Sequence, residues 1–210
     1  MFNPEIHHRH SIRLRDFDYS GNGAYFVTLC TQGRECLFGD IADGEMCVND
    51  AGGMVEGVLL KLPERFPGFA LDEYVIMPNH FHGIIILNDI GRRGDTLCSP
   101  AFDVGSSAFD QIQNEGEHQQ NQGEHKVRPY GTMENSLGRI MQAFKSMTSV
   151  EYVRGVNEHD WPPFPGRLWQ RNYYERIVRN DNELAAIREY IAYNPMKWAE
   201  DKENPDSSKM

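Results

Sequence analysis

The stretch Leu71-Asp72-Glu73-Tyr74-Val75-Ile76-Met77-Pro78-Asn79-His80-Phe81-His82-Gly83-Ile84-Ile85-Ile86-Leu87-Asn88 decides how this chain folds. Its two halves are rich in β-branched, aromatic and aliphatic residues, and Pro78-Asn79 separates them with turn chemistry. Leu71 to Met77 reads as one strand and His80 to Asn88 as a second, joined as an antiparallel hairpin. Side chains on a strand alternate between faces, so His80 and His82 project to one side and Phe81 to the other. Two imidazoles placed two residues apart on a rigid strand can share one metal ion, and they equally suit polar positions on a sheet face. Gly83 beside them is read as leaving room for a substrate backbone.

Upstream, Tyr25 to Thr31 is aromatic and β-branched and predicts a strand entered through Gly21 and Gly23, while Ser11 to Arg15 alternates and suggests a shorter one. Asn49 or Asp50 caps a predicted helix running to about Lys61, with Met54, Val55, Val58 and Leu59 at helical spacing and Pro63 marking its end. Downstream, residues 89–133 are rich in Gly, Ser, Gln, Asn and acid, without apolar periodicity, and read as a disordered insertion. Helical spacing returns at Leu137, Ile140, Met141, Phe144 and Met147, and Leu168 to Val178 contains a further strand. A last helix starts near Asn180, with Glu183 placed much as in a capping box, and runs towards Pro195. The order strand, helix, strand, strand, helix, strand, helix predicts an α+β fold. This is a ferredoxin-like antiparallel sheet with packed helices, in one domain over residues 1–198 with a flexible tail at 199–210.

The last helix carries Ile187-Arg188-Glu189-Tyr190-Ile191-Ala192-Tyr193-Asn194-Pro195. Tyr190 and Asn194 are four residues apart, so one helix face presents a phenol and a carboxamide together. A tyrosine can act as a covalent nucleophile. An amide oxygen is a hard ligand suited to Mg²⁺ or Mn²⁺, so Asn194 can complete a shell begun by the histidines. Pro195 biases Asn194 away from helical dihedrals. Tyr190 and Tyr193 also suit ordinary amphipathic surface positions.

The chain has 210 residues, 40% hydrophobic and 25% charged, with four cysteines and a formal net charge of −10. No apolar run approaches the ~18 residues of a membrane span, and the N-terminus lacks a signal-peptide pattern. A cytoplasmic protein with reduced thiols is expected. The acidic balance argues against a broad electrostatic grip on nucleic acid. The acid is concentrated in the insertion and in Glu200 to Glu203, however, whereas residues 167–179 carry Arg167, Arg171, Arg176 and Arg179.

Two separated segments together resemble a known family. Tyr74 to Gly83 resembles the HUH signature of single-tyrosine transposases, and Trp169 to Arg179 followed by Ile187 to Pro195 resembles the C-terminal half of the REP-associated tyrosine transposases. The resemblance covers residues from about 20 to 198, the insertion excepted. It implies a catalytic domain in which His80 and His82 bind a divalent metal, Mg²⁺ or Mn²⁺, with Asn194 as third ligand. Tyr190 matches the nucleophile that cuts single-stranded or hairpin DNA through a 5′-phosphotyrosine; Tyr193 is its rival. Lys145, Arg171, Arg176 and Arg179 are candidates for phosphate contacts or for a solvated basic face. Trp169, Tyr173 and Tyr174 are candidates for base stacking or for core packing. His7, His8 and His10 form a second possible metal site or a polar terminus. A monomer and a homodimer are both compatible, and in a dimer Tyr190 could serve the partner's histidines. Three rival readings stay open: a non-catalytic nucleic-acid binder on the same fold, a metal-dependent hydrolase in which Tyr190 is incidental, and a purely structural protein, which would leave the histidine pair and the tyrosine helix far apart.

Overall fold

A computed structural model describes residues 22–88 and 136–207. The Ser11–Arg15 strand, the N-terminal histidines and the 89–133 insertion lie outside the described residues.

Four strands form the main sheet: β1 (Gly23–Cys30), β4 (Phe69–Ile76), β5 (His80–Leu87) and β6 (Tyr174–Val178). Their order is β4-β5-β1-β6, with every neighbouring pair antiparallel. The Pro78-Asn79 hairpin therefore joins β4 to β5, and β1 runs between β5 and β6. This is the expected ferredoxin-like order, in which each crossover helix returns the chain to a non-adjacent position.

The helices cover the sheet on both sides. Helices α1 (Asp50–Leu60) and α3 (Leu137–Glu158) pack on one face, burying Val55, Leu59, Ile140 and Phe144 with Val27, Leu29, Phe81 and Ile85 of the strands. Asn49 caps α1 with its Oδ1, 2.9 Å from Gly52 N. Pro63 ends that helix and opens a one-turn helix, α2 (Leu62–Arg65). On the opposite face α4 (Asp181–Ala192) lays Ile187 and Ile191 onto Phe26 and Ile84. Its cap is Asn180, whose Oδ1 accepts from Glu183 N at 2.9 Å. The Glu183 carboxylate reaches back to Arg179 N at 2.9 Å, one residue before the cap. A bidentate pair, Arg188 Nε to Asp72 Oδ1 at 2.7 Å and Arg188 Nη2 to Asp72 Oδ2 at 2.6 Å, fastens α4 to β4.

Two features depart from the sequence reading. A second, two-stranded hairpin of β2 (Gly39–Ala42) and β3 (Glu45–Val48) precedes α1. Of the tail expected to be flexible from residue 199, the described part, residues 199–207, is folded: a 3-10 segment, Pro195–Glu200, continues into turns in which Asn204 is buried. Asn79 Nδ2 donates to Glu203 O at 2.7 Å, and Arg34 Nε lies 3.0 Å from the Glu203 carboxylate. These contacts compensate the chain entropy that an acidic tail would otherwise keep.

Candidate active site

Strand register builds the site. In β1 and β5 the partners Thr28↔His82 and Cys30↔His80 lie opposite each other, so the two histidines share a sheet face with Phe26 and Thr28. On the other side of β1, Tyr174 and Arg176 of β6 pair with Thr28 and Phe26 and extend the same face outward. Helix α4 crosses this face, and its C-terminal half brings Tyr190 over the histidines.

Both imidazoles are buried, at 0% and 2% exposure, which is unusual for two titratable groups and demands partners. Their Nε2 atoms face each other at 3.0 Å. Each Nδ1 is held from behind, His80 by Asn79 Oδ1 at 2.8 Å and His82 by Thr28 Oγ1 at 2.8 Å. The Tyr190 hydroxyl is 3.3 Å from His82 Nε2, and its ring stands edge-on to Phe26 at 5.9 Å. Phe26 in turn stacks on His82 at 5.4 Å. From the tail, the Asp201 carboxylate comes to 3.9 Å from His80 Nε2.

The electrostatics follow from this burial. Desolvation pushes His80 down to about 4, partly offset by the Asp201 carboxylate, and pushes His82 well below its ordinary value, with His80 adding to the effect. Burial therefore favours the neutral form of both rings, the state a metal ligand needs. Tyr190 is raised above its usual range by burial first and then by Asp201.

The donor set fits a divalent ion. His80, His82 and Asp201 each offer a ligand atom, and these lie within 4.8 Å of one another. Asn194 is 3% exposed, and its buried Oδ1 has no hydrogen-bond partner among the described residues, a cost that a cation would remove. Two imidazole nitrogens with amide and carboxylate oxygens suit Mn²⁺ or Mg²⁺ in a mixed shell. Contrary to the bias expected from Pro195, Asn194 has helical dihedrals, φ −60° and ψ −42°, because it starts the 3-10 segment just past the end of α4.

The remaining candidates divide. Tyr193 is half exposed and is not among the groups that meet the histidines. Arg171, Arg176, Arg179 and Tyr174 are exposed, Arg176 paired with Glu183 and Tyr174 edge-on to Phe26 at 6.2 Å. Trp169 does not fit a base-stacking role: it is 3% exposed in the core, with Nε1 donating to Thr148 Oγ1 at 2.7 Å. Lys145 does not present a free ammonium to phosphate. Its Nζ donates to the carbonyls of Gln170 at 2.9 Å and Arg171 at 3.1 Å, and desolvation lowers it to about 8. Gly83 opens no space for substrate, since a Cβ there would meet the Phe81 ring at 2.6 Å on the face away from the histidines. Sequence reasoning missed Asp201, Asn79 and Thr28. Asn79 stood next to the histidine motif and could have been found there, whereas Asp201 lies in an acidic run with no distinguishing pattern.

No protein-family model matches the chain. An uncharacterized protein of Haemophilus influenzae is 34% identical over 201 residues, covering 96% of each chain. Among solved structures, a REP-associated tyrosine transposase bound to a REP hairpin is similar in fold, with a TM-score of 0.50 and 16% identity, over 90% of this chain and 74% of that one. The chain thus belongs to one family with the Haemophilus influenzae protein, and its architecture is the single-tyrosine transposase fold.

Proposed function

We propose that this protein cuts and rejoins single-stranded DNA, with Tyr190 as the nucleophile. The observation that carries the reading is the Tyr190 hydroxyl 3.3 Å from His82 Nε2, beside two buried imidazoles whose nitrogens converge. His80 and His82, with Asn194 Oδ1 and the Asp201 carboxylate, would hold a divalent cation. When bound, that ion supplies Lewis acidity at the scissile phosphate.

The chain's own groups do the rest. Helix α4 holds the Tyr190 ring against Phe26, so the phenol needs little reorientation to attack. The Tyr190 Oη–P bond forms and the bond from phosphorus to the 3′ oxygen breaks. The phenolic proton is lost, and the departing oxygen takes up a proton as a free 3′-hydroxyl. The product is a 5′-phosphotyrosine that keeps the ester energy for rejoining by another 3′-hydroxyl. Tyr174 would stack on an unpaired base, and Arg171, Arg176 and Arg179 would contact phosphates along β6. A hairpin is the favoured substrate class, because the structural relative of similar fold is bound to one. Metal-dependent hydrolysis by activated water is the competing chemistry.

A denaturing gel of the protein with labelled single-stranded hairpin DNA and Mn²⁺ or Mg²⁺ tests this. The expected result is a covalent adduct that is lost in Tyr190→Phe and kept in Tyr193→Phe. Cleavage without an adduct, unchanged in Tyr190→Phe, would establish hydrolysis instead.

A further inference from the structure

Asn79 is wholly buried, and both hydrogens of its side-chain amide are spent. Its Nδ2 donates to two backbone carbonyls, Arg34 O at 2.9 Å and Glu203 O at 2.7 Å. Carbonyl oxygens only accept, so the amide has one permitted orientation, and the usual ambiguity between amide nitrogen and oxygen is removed. Its Oδ1 therefore faces His80 Nδ1, at 2.8 Å, and can only accept there. His82 has a different partner. The Thr28 hydroxyl, 2.8 Å from His82 Nδ1, can either donate or accept.

We infer that Asn79 is a positioning residue that holds His80 as its Nδ1–H tautomer, with the Nε2 lone pair turned to the site, while Thr28 lets His82 change tautomer. The inference rests on the divalent-ion reading of the site for its purpose, but not for its geometry. Two Nε2 atoms only 3.0 Å apart need one proton between them. His80 Nε2 has none to give, so without an ion the proton sits on His82 Nε2, and His82 Nδ1 accepts from Thr28 Oγ1–H. Were both Nε2 atoms to hold an ion, that proton would move to His82 Nδ1 and Thr28 Oγ1 would accept it. One histidine is thus set before binding and the other adapts. The same amide ties His80 to the tail at Glu203, so the tail that carries Asp201 is fixed relative to the first ligand.

The test is long-range ¹H–¹⁵N NMR of the metal-free, full-length protein, with His80 and His82 signals assigned by their loss in His80→Gln and His82→Gln. The expected spectrum has a protonated Nδ1 on His80 and a protonated Nε2 on His82, and Mg²⁺ titration moves the His82 proton to Nδ1. Mn²⁺ affinity, followed by electron paramagnetic resonance, is expected to fall about 10–100-fold in Asn79→Ala, the usual cost of losing a ligand's outer partner. In the same variant the His80 tautomers become mixed. Asn79→Asp keeps the acceptor towards His80 and loses both donors, so it is expected to retain the His80 tautomer and to bind Mn²⁺ at least as well as Asn79→Ala. Protonated Nε2 on wild-type His80 would overturn the inference, as would an Asn79→Ala protein that keeps both tautomer and Mn²⁺ affinity. Absence of Mn²⁺ binding by the wild-type protein, with His80 as the Nδ1–H tautomer, would remove the ion reading and leave the positioning role of Asn79 standing.

Discussion

Replacing Tyr190 with phenylalanine removes one oxygen and leaves the ring that packs edge-on against Phe26. The variant is expected to fold as the wild type, with stability within about 0.5 kcal/mol. Strand cleavage falls by roughly 10⁴-fold or more, the scale on which removal of a covalent nucleophile acts, as measured in a single-turnover nicking assay. Gly83→Ala makes the opposite case. Its added methyl meets the Phe81 ring at 2.6 Å, so it is expected to cost about 1–3 kcal/mol in a thermal or urea melt while the histidine face is untouched. The histidines were legible from the sequence because a strand has a period of two, which puts His80 and His82 on one side whatever the fold around them. The same rule puts Gly83 with Phe81 and away from the substrate, although its position next to His82 suggests a role at the site. Asp201 was illegible for another reason. No local pattern marks which carboxylate of an acidic run will be carried back to a motif on β5, and only the tertiary path of the tail decides it.

At the scale of elements, α4 is placed by two anchors, the buried Ile187 and Ile191 and the Arg188–Asp72 pair. Asp72 is held below the ordinary carboxylate range chiefly by its hydrogen bonds to Arg188. Its contribution is therefore present above the unfolded pKa of about 3.9 and is lost as pH falls through the lower folded value. Arg188 is 49% exposed, so the pair is worth no more than about 1 kcal/mol. Asp72→Asn is expected to melt about 2–4 °C below wild type at pH 7, and the gap closes in melts taken below pH 4. The helices and the β4–β5 hairpin were readable from periodicity and caps. The β2–β3 hairpin carries its own signal, Asp43-Gly44, whose φ values of 52° and 79° are those a tight hairpin turn requires. That signal is easily passed over because the strands flanking it are four residues each and mostly exposed.

At the scale of the molecule, a net charge of −10 must coexist with the DNA-binding face proposed above. Contacts confined to Arg171, Arg176 and Arg179 give a shallow salt dependence, about −2 in the slope of log affinity against log salt for a single strand. Arg179→Ala is expected to flatten that slope by about 0.7 in fluorescence-anisotropy titrations, with little change in stability. The topology was inferable because four strands and two crossover helices in this order have few unknotted right-handed arrangements. The placement of α4 on the second face was not, since an amphipathic helix does not record which side of a sheet it will cover. The alternation along β5 has a consequence for how such a protein can change over time. Histidines and core residues interleave so closely there that inserting or deleting one residue would exchange them, drowning the chemistry in the interior and exposing Phe81. Lineages descended from this chain can therefore lengthen or shorten it outside β5 but not within it. The motif itself is frozen in register, open to substitution and closed to slippage.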